Sequence, residues 1–411
     1  MSEPLSTDSY KGVRDFYPKD WARLSALFTR VRETLARWGY EEYNASPLER
    51  AELYEAKTSE EIVGEQTYTF TDRGDRRVTL RPEMTPTLAR MVAGKRREMP
   101  FPLRWFSIGN RFRYERPQKG RLREFYQVDV DLVGLPEGEA DLEIIQLASA
   151  LVRDCGAAEK DFVIRVNSRT LLNAACKAAG LQGDAVRSYL HLLDKRAKMT
   201  PEAFTAARET ITTKDPLTFI KTDEMETFVA TLKARGVSNV VFDSGITRGF
   251  DYYTGLVFEV FDTSLENPRA LFGGGRYDQL VALFGGEPIP AVGFAFGDVV
   301  FADFLETHDL TLPASTARPQ LYLGTPIESD IPATQAFAQT LRAEGVRVFV
   351  NLTQKSLGEQ IRDAVKREIP FFIAYGADEI ANNTVRMKIL ATSEEEELSI
   401  TNIAARLHAE S

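Results

Sequence analysis

Histidine is scarce in this chain: His191, His308 and His408 are the three in 411 residues. None lies in a Gly-rich or acidic cluster, so zinc hydrolysis and Ser/His/Asp chemistry find no support. Cysteine is scarcer still. Cys155 and Cys176 sit in apolar, Ala-rich helical context and read as small core residues in a reduced compartment. No apolar run approaches a membrane span, and Met1-Ser-Glu-Pro-Leu-Ser-Thr-Asp lacks the regions of a signal peptide. No Gly-Lys-Ser/Thr phosphate loop and no dinucleotide fingerprint follows a strand, which disfavours the common nucleotide folds. No internal repeat is visible. The expectation is a cytoplasmic enzyme without membrane contact and without a catalytic histidine.

Against a net charge of -9, one segment is strongly cationic. Arg111-Phe-Arg-Tyr-Glu-Arg-Pro-Gln-Lys-Gly-Arg-Leu-Arg123 holds six Lys or Arg and one Glu. A cationic loop on an anionic body needs a local reason, and phosphate binding is the usual one. Pro117, Lys119 and Gly120 mark a turn, while Leu103–Gly109 and Phe125–Val133 read as strands. The segment is predicted to be a hairpin with arginines at its base and tip.

With 43% apolar and 27% charged residues, the chain has ordinary globular composition and room for two or three domains. A helix is expected from Asp20, with Trp21, Leu24, Leu27, Phe28, Val31, Leu35 and Trp38 on one face and Gly39 as its stop. Glu41–Leu48 reads as a strand ending at Pro47. Gln66–Phe70 and Arg77–Leu80 read as a hairpin, and helical patterns cover Glu139–Cys155 and, more weakly, Arg169–Arg235. The latter looks like an insertion between strand-rich blocks. Strand signals return at Val240–Phe242 and Leu256–Phe261. A linker is expected near 307–319. Beyond it, β-α-β-α-β-β alternation predicts a small separate α/β domain, with Glu394–Glu397 as a solvated acidic turn.

Four further clusters carry chemistry. Glu83 and Thr85 stand at a strand-to-helix junction, where they could grip an ammonium group or where Thr85 could simply cap the helix. Thr247–Gly255 brings Arg248, Tyr252 and Tyr253 together, either as a fixed cationic fork beside planar polar rings for an oxyanion and a planar ligand, or as a strand-end turn with its tyrosines in the core. Phe272-Gly-Gly-Gly-Arg-Tyr-Asp278 allows close backbone approach to a ligand, or is a plain loop. Ala291–Gly297 is a strand with small residues at alternate positions, open to the same two readings.

In this order, these motifs resemble histidyl-tRNA synthetase, a class II aminoacyl-tRNA synthetase family, from Lys11 to about Leu390. Lys11-Gly-Val-Arg-Asp-Phe is similar to the family's opening, and the segment through Pro47 to its dimer-forming motif 1. Phe112–Arg121 looks like motif 2. Arg248-Gly-Phe-Asp-Tyr-Tyr and Gly273-Gly-Gly-Arg-Tyr-Asp resemble the signatures peculiar to the histidine enzyme. The C-terminal part, with Gly376–Asn382, looks like the anticodon-binding domain. The implied fold is α+β: an antiparallel class II sheet core with flanking helices over 1–310, a helical insertion near 170–235, and a mixed α/β anticodon-binding domain over 320–411.

The resemblance also implies roles. Arg113 would hold the α-phosphate of a bent ATP, Glu115 the adenine amino group, Phe125 would stack on the ring, and Arg121 would meet the γ-phosphate. Glu83, Thr85 and Gln127 would bind the α-amino group of histidine, Asp131 and Tyr253 would read its imidazole, and Tyr252 and Tyr277 would also bind histidine. Arg248 would oppose Arg113 across the α-phosphate. Mg²⁺ would bridge the phosphates. The implied partners are histidine, tRNA(His) and a second copy of the chain. Two departures stand out. Asp131 replaces the family's usual Glu and is one methylene shorter. Val300, in Gly297-Asp-Val-Val300, stands where motif 3 usually carries an arginine for the γ-phosphate. The competing resemblance is to a non-catalytic paralogue, the regulatory subunit of ATP phosphoribosyltransferase. That type lacks the anticodon domain and the arginine motif. Lys355, Arg362, Lys366 and Arg367 cluster on or beside the 356–368 helix, either as a local basic face for tRNA or as a solvated helix.

Overall fold

In the computed structural model the chain divides into two compact units, Met1–Ala314 and Ser315–Ser411. Residues 4–55, 66–196, 199–248, 252–264, 267, 269–313 and 318–409 are described. Gly249–Asp251 of the arginine–tyrosine motif and positions 314–317 of the expected linker lie outside them. Among the described residues, no helix is long and apolar enough to cross a membrane.

Eleven described strands build the first unit. They are β1 Glu41–Glu42, β2 Leu48–Arg50, β3 Tyr68–Thr71, β4 Arg77–Leu80, β5 Leu103–Phe112, β6 Glu124–Val133, β7 Phe162–Ser168, β8 Val240–Phe242, β9 Leu256–Asp262, β10 Ala270–Arg276 and β11 Ala291–Gly297. Eight form one sheet, ordered β1-β5-β6-β11-β10-β9-β7-β8. It is antiparallel from β5 across to β7, and the short edge strands β1 and β8 run parallel to their neighbours. The β5–β6 hairpin is longer than its sequence signals suggested, pairing Leu103–Phe112 with Glu124–Val133 throughout.

Alternation along the strands assigns the faces of this sheet, because successive side chains point to opposite sides. Val128, Val130 and Leu132 of β6, with Val292, Phe294 and Phe296 of β11, enter the main core. There they meet Leu24, Leu27, Phe28, Val31 and Leu35 of the helix Pro18–Arg37, and Ile144, Ala148 and Leu151 of the helix Glu139–Asp154. Trp21 lies largely outside that core, 43% exposed, against Phe16 and Tyr126. The positions between the core residues of β6 are Gln127, Asp129 and Asp131, buried on the opposite face.

The strand expected at Glu41–Leu48 is broken in two. β1 pairs with β5, whereas β2 joins β4 and β3 in a separate three-stranded sheet. Pro47 sits at the break, its carbonyl accepting from the Arg81 backbone N–H at 2.8 Å. The helical segment after Ser168 also has two parts. Leu172, Cys176, Tyr189, Leu190 and Phe204 form a core of their own, while Met225 and Leu232 of the helix Asp223–Ala234 join the main one.

The second unit carries β12 Leu321–Gly324, β13 Val348–Val350, β14 Phe371–Ala374, β15 Thr384–Ile389 and β16 Glu395–Ser399, ordered β13-β12-β14-β15-β16. Leu321 and Leu323 enter one core and the intervening Tyr322 another, so both faces of β12 are covered. The acidic run was expected as a solvated turn, but Glu395–Ser399 pairs antiparallel with β15. Lys388 meets Glu395 at 3.2 Å and Arg406 meets Glu396 at 3.0 Å, which offsets the low strand preference of glutamate.

Within the glycine-rich motif, Arg276 is fully buried and structural. Nε donates to Asp141 at 2.9 Å, Nη1 to the Leu135 carbonyl at 3.1 Å and to Asp278 at 3.0 Å, and Nη2 to the Pro136 carbonyl at 3.2 Å. Asp141 in turn accepts from the Gly138 backbone N–H that begins its helix, at 2.7 Å. Removing one member leaves a buried charge unpaired. Arg276→Met should cost roughly 3–5 kcal/mol of stability by denaturant titration, against little for an exposed Arg→Met change. Equal losses at both places would refute this role.

Candidate active site

The polar face of β6 opens into a cavity of ≈ 170 Å³. It is lined by Glu83, Thr85, Arg113, Gln127, Asp129, Asp131, Arg248, Tyr252, Tyr253, Gly273, Tyr277, Gly293, Phe294 and Ala295. Nine of the twelve residues proposed from the sequence are therefore brought together. Glu115, Arg121 and Phe125 lie outside this lining. Phe125 is next to it, with the Arg113 guanidinium 5.3 Å above its ring. Glu115 and Arg121 pair with each other at 3.1 Å.

Each wall has a local cause. Glu83 follows β4, whose end is anchored by the buried Arg81: Nε donates to the Asn110 carbonyl at 2.9 Å and Nη1 to the Ala45 carbonyl at 2.8 Å. The helix Thr85–Lys95 starts with Met84 at its cap position and makes no side-chain cap hydrogen bond. Thr85 is thus a lining residue and not the helix cap. Tyr252 donates to Glu83 Oε2 at 3.1 Å, which fixes the carboxylate. Arg113 donates from Nε to the Pro82 carbonyl at 3.0 Å, leaving the rest of its fork toward the cavity.

The glycines beneath these side chains have a steric role. A methyl at Gly293 would fall 2.4 Å from Asp131 Oδ1, and one at Gly275 would fall 2.8 Å from the Tyr253 ring. Asp131 and Tyr253 can lie flat on the sheet only because those positions lack Cβ. Their spacing in the sequence was a signal, and the structure identifies what they accommodate.

Charge is arranged in two zones. Asp129 pairs with Arg111, which is fully buried, and accepts from Gln127 Nε2 at 2.6 Å. The Tyr277 hydroxyl donates to Asp131 Oδ1, and Oδ2 has no hydrogen-bond partner among the described residues. Burial pushes the Asp131 carboxyl up to about 8, with Asp129 adding to the rise while Tyr277 and Arg111 oppose it. Burial also drives the Tyr252 and Tyr277 hydroxyls well above the ordinary tyrosine range. On the opposite side, Arg248 donates to Glu259 Oε1 at 2.9 Å. Burial opposes its charge, but Tyr253 and Glu259 outweigh that and hold the guanidinium firmly protonated. Burial lowers Arg113, with Glu83 and Glu115 opposing. Arg248 has a φ of 61°, a region that costs a non-glycine residue of order 1–3 kcal/mol and is found mostly where function requires it.

Of the six cations expected to serve phosphate, Arg111 is buried against Asp129, and Arg123 stacks 4.0 Å over Tyr114 while Nε donates to the Glu115 carbonyl at 3.2 Å. Those two hold the hairpin together. Asp129 and Glu259 were missed, although Gln127, Asp129 and Asp131 share period two and Glu259 interrupts the apolar run 256–261.

A sheet of this order, with its polar face hollowed beside a basic hairpin, defines a class II aminoacyl-tRNA synthetase core. The family model for histidyl-tRNA synthetase matches residues 12–200 and 184–297, and that for the anticodon binding domain matches 324–410. The chain belongs to the histidyl-tRNA synthetase family. It is 38% identical to a histidine–tRNA ligase of Leptospira biflexa, over 99% of both chains. The solved apo histidyl-tRNA synthetase of S. aureus has the same fold, with a TM-score of 0.78 at 22% identity over 98% of this chain and 100% of that one. A Bacillus halodurans structure described as an ATP phosphoribosyltransferase regulatory subunit/histidyl-tRNA synthetase also shares it, with a TM-score of 0.70 at 23% identity over 91% and 99%.

The buried Asp131 makes a direct test of this electrostatic description. Unfolded, its carboxyl titrates near 3.8; folded, near 8. A raised acid binds its proton more tightly when folded, so its contribution is full below pH 4 and is lost as pH rises toward 8. Asp131→Asn should flatten this decline and gain on the parent between pH 5 and pH 8 by up to about 1.4 kcal/mol per pH unit. Parallel stability–pH curves would refute the assignment.

Proposed function

We propose that the chain charges tRNA(His) with histidine through a histidyl-adenylate, using ATP with Mg²⁺. What carries this reading is the convergence of two arginines from separate segments, Arg113 and Arg248, on the cavity that holds Glu83 and Asp131. Carboxylates suit an ammonium group and an imidazole N–H; facing guanidinium groups suit a phosphate. The α-ammonium of histidine would bind Glu83, with Thr85 and Gln127 beside it. The imidazole would pair with Asp131 Oδ2, the oxygen that Tyr277 leaves unpaired, with Tyr252 and Tyr253 against the ring. The shorter Asp131 thus keeps one carboxyl oxygen for a heterocycle.

Adenine would stack on Phe125 and meet Glu115, and Arg121 would turn from Glu115 to the γ-phosphate as the nucleotide enters. Mg²⁺ would ride on the phosphate oxygens. One carboxylate oxygen of histidine then bonds to the α-phosphorus while the bond to the bridging oxygen breaks, and pyrophosphate leaves with that electron pair. Negative charge grows on the non-bridging oxygens between Arg113 and Arg248. Both guanidiniums are already oriented by Pro82 and Glu259, so little reorganisation is needed. A terminal ribose hydroxyl of the tRNA attacks the activated carbonyl next, releasing AMP.

The match of 324–410 to the anticodon binding domain supports tRNA as the acceptor over the histidine-binding regulatory role. Both cysteines are free and buried, which supports a cytoplasmic setting. We further propose a homodimer. A groove lined by Leu53, Pro86, Leu283 and Phe284 offers apolar surface for a second copy. A monomer in sedimentation at micromolar concentration would count against it.

ATP–pyrophosphate exchange that depends on histidine alone is the expected result, whereas histidine binding without exchange would favour the regulatory reading. Arg248→Ala should slow adenylate formation by about 10²–10³-fold, the scale for one preorganised oxyanion donor. Transfer from preformed adenylate should suffer much less. Arg248→Lys should rescue in part, since an ammonium lacks the planar fork. Near-normal single-turnover adenylation in Arg248→Ala would overturn the assigned role.

A further inference from the structure

Pyrophosphate is the most highly charged part of the proposed substrate, and the hairpin leaves Arg121 and the exposed Arg116 and Lys119 to meet it. Arg121 is tied to Glu115, and Val300 stands where the family's motif 3 carries its arginine. The helix Asp298–Thr307 supplies no cation in its first turn. Asp298 is itself engaged, with Oδ2 accepting from Arg14 at 2.7 Å and Oδ1 from the Tyr126 backbone N–H at 2.9 Å. Val300 packs against the core.

The tip of the basic hairpin lies over that turn. A methyl built on Gly120 would stand 3.4 Å from Val300 Cγ2, and 3.9 Å from Nη1 of Arg269. Arg269 directly precedes β10, the strand after next to β6 in the sheet, and its Nη1 donates to the Lys119 carbonyl at 3.2 Å. It is exposed, and that carbonyl is its one hydrogen-bond partner among the described residues. A guanidinium from a different element therefore meets the hairpin tip at Lys119 and Gly120, where the tip also borders Val300, one residue along from Arg121.

We infer that Arg269 supplies a further positive charge for the pyrophosphate end of ATP, in place of the arginine absent at Val300. The inference rests on the synthetase reading above. Arg269 pins the hairpin tip through Lys119 and keeps its remaining donors for phosphate oxygens, so binding of the β,γ-phosphates and release of pyrophosphate both depend on it. Its charge lies away from the α-phosphorus, so it acts on substrate binding more than on the chemical step.

The test is histidine-dependent ATP–pyrophosphate exchange, with binding of a non-hydrolysable ATP analogue read separately by calorimetry. Arg269→Ala should weaken ATP and pyrophosphate about tenfold, the scale of one solvent-accessible charge-assisted contact, with histidine affinity unchanged. Arg269→Gln keeps a donor for the Lys119 carbonyl but no charge, and should be as weak as Arg269→Ala. Adding Val300→Arg to Arg269→Ala should restore much of the loss. Wild-type nucleotide affinity in Arg269→Ala, or in Arg269→Gln, would overturn the proposal, the latter by reducing Arg269 to a loop clasp. Absence of exchange in the parent chain would instead remove the synthetase reading itself.

Discussion

A β-strand can bury hydrocarbon on one face and charge on the other only if its pleat stays in register over its whole length. β6 meets that demand for ten residues. Val128, Val130 and Leu132 enter the main core while Gln127, Asp129 and Asp131 line the cavity, and every one of the six is buried. A one-residue slip would drive two carboxylates into the aliphatic core. Pairing with β5 and β11 on both sides excludes that slip, so the polar face is fixed by the same contacts that make the core.

Charge on the buried face must then be balanced locally, because desolvation there is costly. Arg111 from β5 is committed to Asp129 and closes the inner part of the site. Among the described residues Asp131 has no cationic partner in contact; one oxygen takes the Tyr277 hydroxyl and burial raises its proton affinity. Arg248 is held by Glu259 from β9, across the cavity lining from those carboxylates. The site thus pairs its inner charges locally, Asp129 with Arg111 and Glu259 with Arg248, and keeps Asp131 outside those ion pairs.

Much of this was legible in the sequence because it depends on short periods and on motif order. The hairpin, the Glu83–Thr85 junction, the paired tyrosines and the sheet-face glycines all announced themselves within a few residues. Arg111 and Arg113 show what was hidden. They are two residues apart and chemically identical, yet one is locked in an ion pair and the other faces the cavity. Only the end of the β5–β6 ladder, at Phe112, separates their fates. β16 was hidden for another reason: four consecutive glutamates read as solvated until Lys388 and Arg406 are seen beside two of them. The helix Asp223–Ala234 looked continuous with the helices before it, and only the burial of Met225 and Leu232 in the main core assigns it elsewhere.

Arg269 belongs to the same class of hidden features, since no local pattern connects it to Lys119, 150 residues away in sequence. Distance along the chain matters little to a phosphate. What matters is where a fixed fork of donors can be held without help from the ligand. A guanidinium just ahead of a sheet strand can meet the same oxygens as one on a helix, provided the hairpin tip lies between them. Gly120 makes that turn possible, because its φ of 76° is strained for a residue with a Cβ. Loss of an arginine from one element is therefore no evidence of a lost site while a neighbouring element can hold an equivalent charge in the same place.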